Sequence, residues 1–205
     1  PMAAAMSRFC VTARMCRPKL VRRSSSTMAP STIRQKIAKG DVVLGTAMFT
    51  PEAHVASAIY NGCGVDWVWI DHEHDPFGTE SVGTIAVMGR QAGVAPVIRV
   101  AWNDPGLIKK AYDVGAVGVM VPQVDNAEEA RQAIKYAKYP PLGERGIAPF
   151  FAGLLGVSGD DVIKHANSET VLILQIESVE AYEKVDATLK LKDFEVLLFG
   201  PTDMS

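Results

Sequence analysis

From Asp41 onward the chain alternates short β-rich runs with longer amphipathic stretches, and few folds accommodate that rhythm. Repeated βα units set parallel strands side by side and lay each crossover helix on the sheet. Six strands are predicted: Val42–Thr46, Trp67–Ile70, Pro96–Val100, Gly118–Val121, Val171–Ile176 and Val196–Phe199. The segments between them carry helix start signals. Thr50-Pro51 puts a capping hydroxyl ahead of a proline whose missing N–H costs nothing in a first turn, and Asp104-Pro105 repeats that chemistry before Leu107–Val114. Asp125 and Glu128 have the spacing of a capping box, followed by an apolar stripe of Ala130, Ile134 and Ala137. Between Tyr139 and Val171 the rhythm loosens into Pro140-Pro141, a turn over Gly143–Gly146, Pro149 and Phe150-Phe151, with one short helix near Asp160–Ala166. Connections that long are usually functional, as lids or subunit contacts.

Six βα units without a doubly-wound phosphate fingerprint leave an open parallel sheet or a (β/α)₈ barrel. A complete barrel takes about 250 residues, so the 205 residues read as a TIM barrel that stops after its sixth strand. Residues 29–205 are expected to form that domain.

Charge divides the chain differently. All nine charged residues before Asp41 are basic, which leaves twelve of the 21 Lys and Arg in the body against all 23 Asp and Glu. An acidic body repels polyanions, so nucleic acid is disfavoured, and small molecules or other subunits are the expected partners. Residues 1–28, rich in Arg and Ser and free of acids, have the composition of a transit peptide. A mitochondrial location follows if the leader is read as such, and a cytoplasmic one if translation starts at Met28. No run approaches the roughly 18 apolar residues of a membrane span. Of the three cysteines, Cys10 and Cys16 lie in the leader and Cys63 stands alone, which provides neither a disulfide framework nor a thiolate zinc site.

Barrel chemistry sits at the C-terminal ends of the strands. Asp71-His72-Glu73-His74 follows strand two, Arg99 ends strand three, Gln175-Ile176-Glu177 ends strand five, and Gly200-Pro201-Thr202-Asp203 follows strand six. Gln175 and Glu177, two apart on a strand, should leave one face while Leu174 and Ile176 meet the helices. Carboxylates from two neighbouring strand ends are hard oxygen donors of the kind Mg²⁺ or Mn²⁺ prefers. The alternative is that Glu177 serves the N-terminus of the next helix and Asp203 a turn, positions that acids favour anyway. Asp71–His74 reads either as an acid–base device or as a polar turn. Arg99, between apolar flanks, needs an anionic partner if it is buried. His54 and His165 fall on predicted helices as surface or packing residues. Trp67 and Trp69 alternate with Val68 and Ile70 as core or interface aromatics. The turn over Gly143–Gly146 lacks the Gly-Lys-Ser/Thr signature of a nucleotide loop.

The ordered set Asp66–His74, Pro96–Arg99, Trp102–Pro105, Val121–Asp125, Tyr139–Pro141 with Gly143 and Arg145-Gly146, Gln175–Glu177 and Gly200–Asp203 closely resembles the HpcH/HpaI aldolase family, from about Val42 to Ser205. The resemblance implies class II, pyruvate-type aldol chemistry on a barrel of the phosphoenolpyruvate/pyruvate superfamily. It implies Glu177 and Asp203 as ligands of a divalent cation (Mg²⁺, Mn²⁺ or Co²⁺), Arg99 as stabiliser of an enolate oxygen, and His74 with Asp71 as a base dyad. Gln175, Gly200 and Pro201, with Arg99, would contact a small 2-oxo acid, in a homo-oligomer. The implied reaction cleaves a 4-hydroxy-2-oxo acid to pyruvate and an aldehyde, or decarboxylates oxaloacetate. Ile147–Gly156 and His72 depart from the bacterial pattern, which leaves the aldehyde acceptor open. Two other readings stand beside it: a non-catalytic subunit-interaction module, and a citramalyl or malyl thioester lyase, for which no coenzyme A surface is legible.

Overall fold

A computed structural model describes residues 32–204, so the basic leader lies outside the described residues. Six parallel strands run in sequence order across one sheet: β1 (Gly45–Met48), β2 (Trp67–Asp71), β3 (Ala95–Arg99), β4 (Gly118–Val121), β5 (Val171–Ile176) and β6 (Val196–Phe199). Every neighbouring pair is parallel, as βα crossovers require. The helices between them are α2 (Ala53–Gly62), α3 (Thr79–Ala92), α4 (Pro105–Asp113), α5 (Ala127–Ala137), α6 (Phe150–Leu155), α7 (Gly159–Glu169), α8 (Val179–Glu183) and α9 (Val185–Leu189). Ahead of the sheet lies α1 (Thr32–Ala38).

Strand alternation divides the core in two. Val68, Ile70, Ile98, Val119, Val121, Leu172 and Leu174 point outward and pack with Ile85, Ile108, Tyr112, Ala130 and Ala133 of the helices. Ala95, Val97, Met120, Val171 and Ile173 point to the other face, where Trp67, Trp69, Val196 and Leu198 join them. The two tryptophans are thus packing residues of the inner face. Ile33 of α1 belongs to the same inner cluster. Arg34 ties α1 to the segments entering β5 and β6, through the Thr170 carbonyl at 3.0 Å and Glu195 at 2.9 Å. Lys36 meets Asp66, just before β2, at 2.5 Å. All these partners precede strands, so α1 lies across the N-terminal end of the sheet.

Four details differ from the sequence reading. β1 begins at Gly45 rather than Val42, because Leu44 bonds through its N–H to the Asp66 carboxylate rather than to a ladder. α2 begins after Glu52, and the Thr50 hydroxyl accepts only a long 3.4 Å contact from the Glu52 N–H. The capping box is displaced by one residue: Asn126 accepts from the Glu128 and Glu129 N–H groups, and Glu129 reaches back to the Asp125 N–H at 2.8 Å. The loose segment 139–170 holds two helices, α6 and α7, where one was expected. Asp104 caps α4 as predicted, accepting from Gly106 and Leu107.

Candidate active site at the strand C-termini

Asp71, Arg99, Gln175 and Glu177 share the inner face at the C-terminal edge of the sheet, each almost fully buried. Strand register brings the first two together, since Asp71 is the direct partner of Arg99 across the β2–β3 ladder. Arg99 donates Nε to Asp71 Oδ1 at 3.0 Å and a terminal nitrogen to Oδ2. The other terminal nitrogen takes no part in this pairing. The guanidinium also lies 4.8 Å from the Trp69 ring, which shields it from water.

After β2 the backbone folds over this pair. Asp71 Oδ1 accepts the N–H groups of Glu73 at 3.0 Å and His74 at 3.3 Å, forming a small turn around the carboxylate. That turn buries Glu73, whose Oε2 comes within 3.0 Å of Arg99 Nε without receiving a hydrogen bond. The His74 imidazole is 68 % exposed and approaches Glu73 Oε2 at 3.7 Å. Asp71 therefore meets His74 through the backbone, while the imidazole faces Glu73.

Glu177 comes from just past β5. Its Oε1 accepts from Gln175 Nε2 at 2.6 Å, and its Oε2 from the Gln123 N–H at 2.9 Å. Gln123, just beyond β4, reaches this position in a left-handed conformation (φ 52°). Ser178, not Glu177, caps α8. Gly200 continues the β5–β6 ladder through its N–H to the Ile176 carbonyl at 2.9 Å. A Cβ there would fall 2.9 Å from Glu177 Cγ and Oε1. Pro201 and Asp203 are exposed in the turn that follows.

Electrostatics follow from this crowding. Burial raises the Asp71 carboxyl, but the Arg99 hydrogen bond and the two backbone donors outweigh it and hold the group below its ordinary range. Burial pushes Glu73 up, with Glu177 and Asp71 adding to the effect and Arg99 and His74 opposing it. Burial lowers Arg99, and Asp71, Glu73 and Glu177 together raise it above its ordinary value. Three buried carboxyls around one guanidinium hold more negative charge than it can offset, which is costly in a low dielectric unless a proton or a further cation joins them. No group of three or more His, Cys, Asp or Glu among the described residues is gathered to hold a metal unaided. A cation held by Glu177 and Asp203 would draw its remaining oxygens from water and substrate, a donor set that suits hard divalent ions. The buried Gln175 Oε1, without a partner, faces the same end of the sheet.

Glu73 is the site residue that sequence reading did not single out. Its neighbours in the tetrad were named, but which of four consecutive polar residues turns inward depends on the turn around Asp71.

These features define a (β/α)-barrel protein with its polar centre at the strand C-termini. The chain belongs to the HpcH/HpaI aldolase/citrate lyase family, whose profile matches residues 46–205. It is 36 % identical over 162 residues to 2-dehydro-3,6-dideoxy-6-sulfogluconate aldolase of Pseudomonas putida, covering 79 % of this chain and 63 % of the relative. To 4-hydroxy-2-oxo-heptane-1,7-dioate aldolase of Shigella sonnei it is 36 % identical over 145 residues, covering 70 % of this chain and 55 % of the relative. The chain thus spans less than two thirds of the length of either. The crystal structure of an HpcH/HpaI aldolase from Desulfitobacterium hafniense superposes with a TM-score of 0.77 at 29 % identity, over 84 % of this chain and 67 % of that one.

Proposed function

We propose that this chain carries the site of a divalent-metal-dependent carbon–carbon lyase that cleaves 4-hydroxy-2-oxo acids to pyruvate and an aldehyde. The observation that carries this reading is the buried excess of carboxylate around Arg99, placed at the strand ends beside Glu177. The names of the two relatives, both aldolases, support it. Glu177 and Asp203 would hold the cation, which supplies Lewis-acid polarisation of a 2-oxo acid when bound.

The residues divide the remaining work. Gln175 and the Gln123 N–H orient the Glu177 carboxylate by occupying one lone pair on each oxygen. Arg99, immobilised by Asp71, presents its remaining terminal nitrogen to the enolate oxygen, where charge develops as the bond breaks. Asp71 serves here as the anchor of Arg99 and as the centre of the turn that carries His74. The exposed His74 imidazole takes the proton from the 4-hydroxyl, the C3–C4 bond opens, and its electron pair passes into the enolate as the aldehyde departs. A proton returned to C3 completes pyruvate.

The test is pyruvate release from a 4-hydroxy-2-oxo acid, followed by coupled reduction to lactate, before and after treatment with EDTA. Activity is expected to vanish with EDTA, return with Mn²⁺ or Mg²⁺, and drop at least about 100-fold in Glu177→Ala. Turnover that survives both treatments would overturn the reading.

A further inference from the structure

At the opposite end of the sheet two arginines form no direct ion pair of the kind that Arg99 makes with Asp71. Arg90, in the last turn of α3, donates Nε to the Gly115 carbonyl at 2.5 Å and a terminal nitrogen to the Ala116 carbonyl at 2.9 Å. Its guanidinium lies 4.2 Å from the Phe151 ring. Arg145, beyond α5, is 6 % exposed and lies 3.7 Å from the Tyr139 ring and 4.5 Å from the Tyr112 ring. It donates to the Ala137 carbonyl at 3.1 Å, and its buried Nε has no acceptor. Among the described residues neither arginine forms an ion pair with a carboxylate. Both border one cavity of about 30 Å³.

We propose that this cavity is a binding site for a small monovalent anion of chloride size, held between Arg90 and Arg145. Charge selects the sign of the ligand. Arg90 and Arg145 both line the cavity, and Glu169, half-buried in its wall, is the one acid among the lining residues. Asp113 acts on Arg145 from outside ion-pair range. Burial draws Arg90 down to about 10, which still leaves it charged at neutral pH. Glu169 acts on Arg90, and Asp113 on Arg145, without direct contact, and buried charges are ordinarily paired at close range, the role that a mobile counter-ion would fill.

The walls and the volume narrow the ligand further. The hydroxyls that reach the cavity are already committed: Tyr112 donates to the Val171 carbonyl at 3.0 Å and Thr170 to the Ala166 carbonyl at 2.7 Å. Guanidinium N–H groups are therefore the donors that remain. One water needs roughly 10–15 Å³ of such space, so the cavity takes a halide with a water and is too small for a sulfate or a sugar acid. Gly115, Ala116, Val117 and Thr170 precede β4 and β5, so the site lies away from the strand ends that carry the proposed lyase centre. It does not depend on that reading.

Thermal unfolding of the whole chain, at constant ionic strength with chloride replacing gluconate, tests the proposal. Chloride is expected to raise the midpoint saturably by about 3 °C, and both Arg90→Met and Arg145→Met are expected to lose that increment. If Arg145→Met fails to fold, Arg90→Met alone decides. Bromide-soaked crystals supply an independent reading, with an anomalous peak expected between the two guanidiniums. Equal midpoints in the two salts, an increment that persists in the variants, or bromide found on the surface alone would each overturn the site.

Discussion

Gly200 has no side chain where one would collide with the carboxylate proposed to hold a metal. An added methyl group would meet Glu177 Cγ and Oε1 alike, so the carboxylate itself would have to shift. Gly200→Ala is therefore expected to leave the far-ultraviolet circular dichroism unchanged while weakening Mn²⁺ binding by roughly 10- to 100-fold in calorimetry. Asp113 offers a different single-residue test. It ends α4 with a buried, unpartnered Oδ1, facing the negative end of the helix dipole. Burial pushes its carboxyl up to about 6, against the pull of Arg145, Lys109 and Lys110. A carboxyl whose folded value exceeds its unfolded value of about 3.9 contributes stability below pH 4, and that contribution is lost as pH rises through 6. Asp113→Asn should accordingly stabilise the protein above pH 7 by about 1–3 kcal/mol. Urea denaturation should show that gain shrinking to nothing near pH 4.

Among the elements, α4 has the clearest local cause. Asp104 accepts two N–H groups of its first turn, so Asp104→Ala is expected to cost about 1 kcal/mol in urea denaturation. The same Asp-Pro pair made this helix legible in sequence, because cap and proline act within one turn. The strands were equally legible where short apolar runs stand between helix and turn signals: the bounds of β4, β5 and β6 coincide with those predicted, and Leu174 faces the helices as the period of two requires. Legibility failed where a distant residue decides. β1 starts late because Asp66 captures the Leu44 N–H, and the capping box shifted because Asp125 instead receives the Ser178 hydroxyl at 2.6 Å. At the centre, spacing placed Gln175 and Glu177 on one face, yet it could not show that Asp71 would bind Arg99 rather than the His74 imidazole. That pairing follows from the β2–β3 register, which no local pattern encodes.

On the scale of the whole molecule, α1 gives the inner core its floor. Ile33 is 5 % exposed within the inner cluster, where it packs with strand residues such as Val97, Met120 and Ile173. Ile33→Ala should cost about 2–4 kcal/mol in chemical denaturation, and a loss below about 0.5 kcal/mol would show that α1 is not packed there. Because α1 closes the end away from the carboxylates, the two faces of the molecule have different uses in the laboratory. A support or fluorophore attached through an exposed residue of α1 would sit beneath the floor and leave the proposed centre open to solution. The same attachment on the turn that carries Pro201 and Asp203 would crowd that centre itself, so surface-tethered assays call for anchoring through α1.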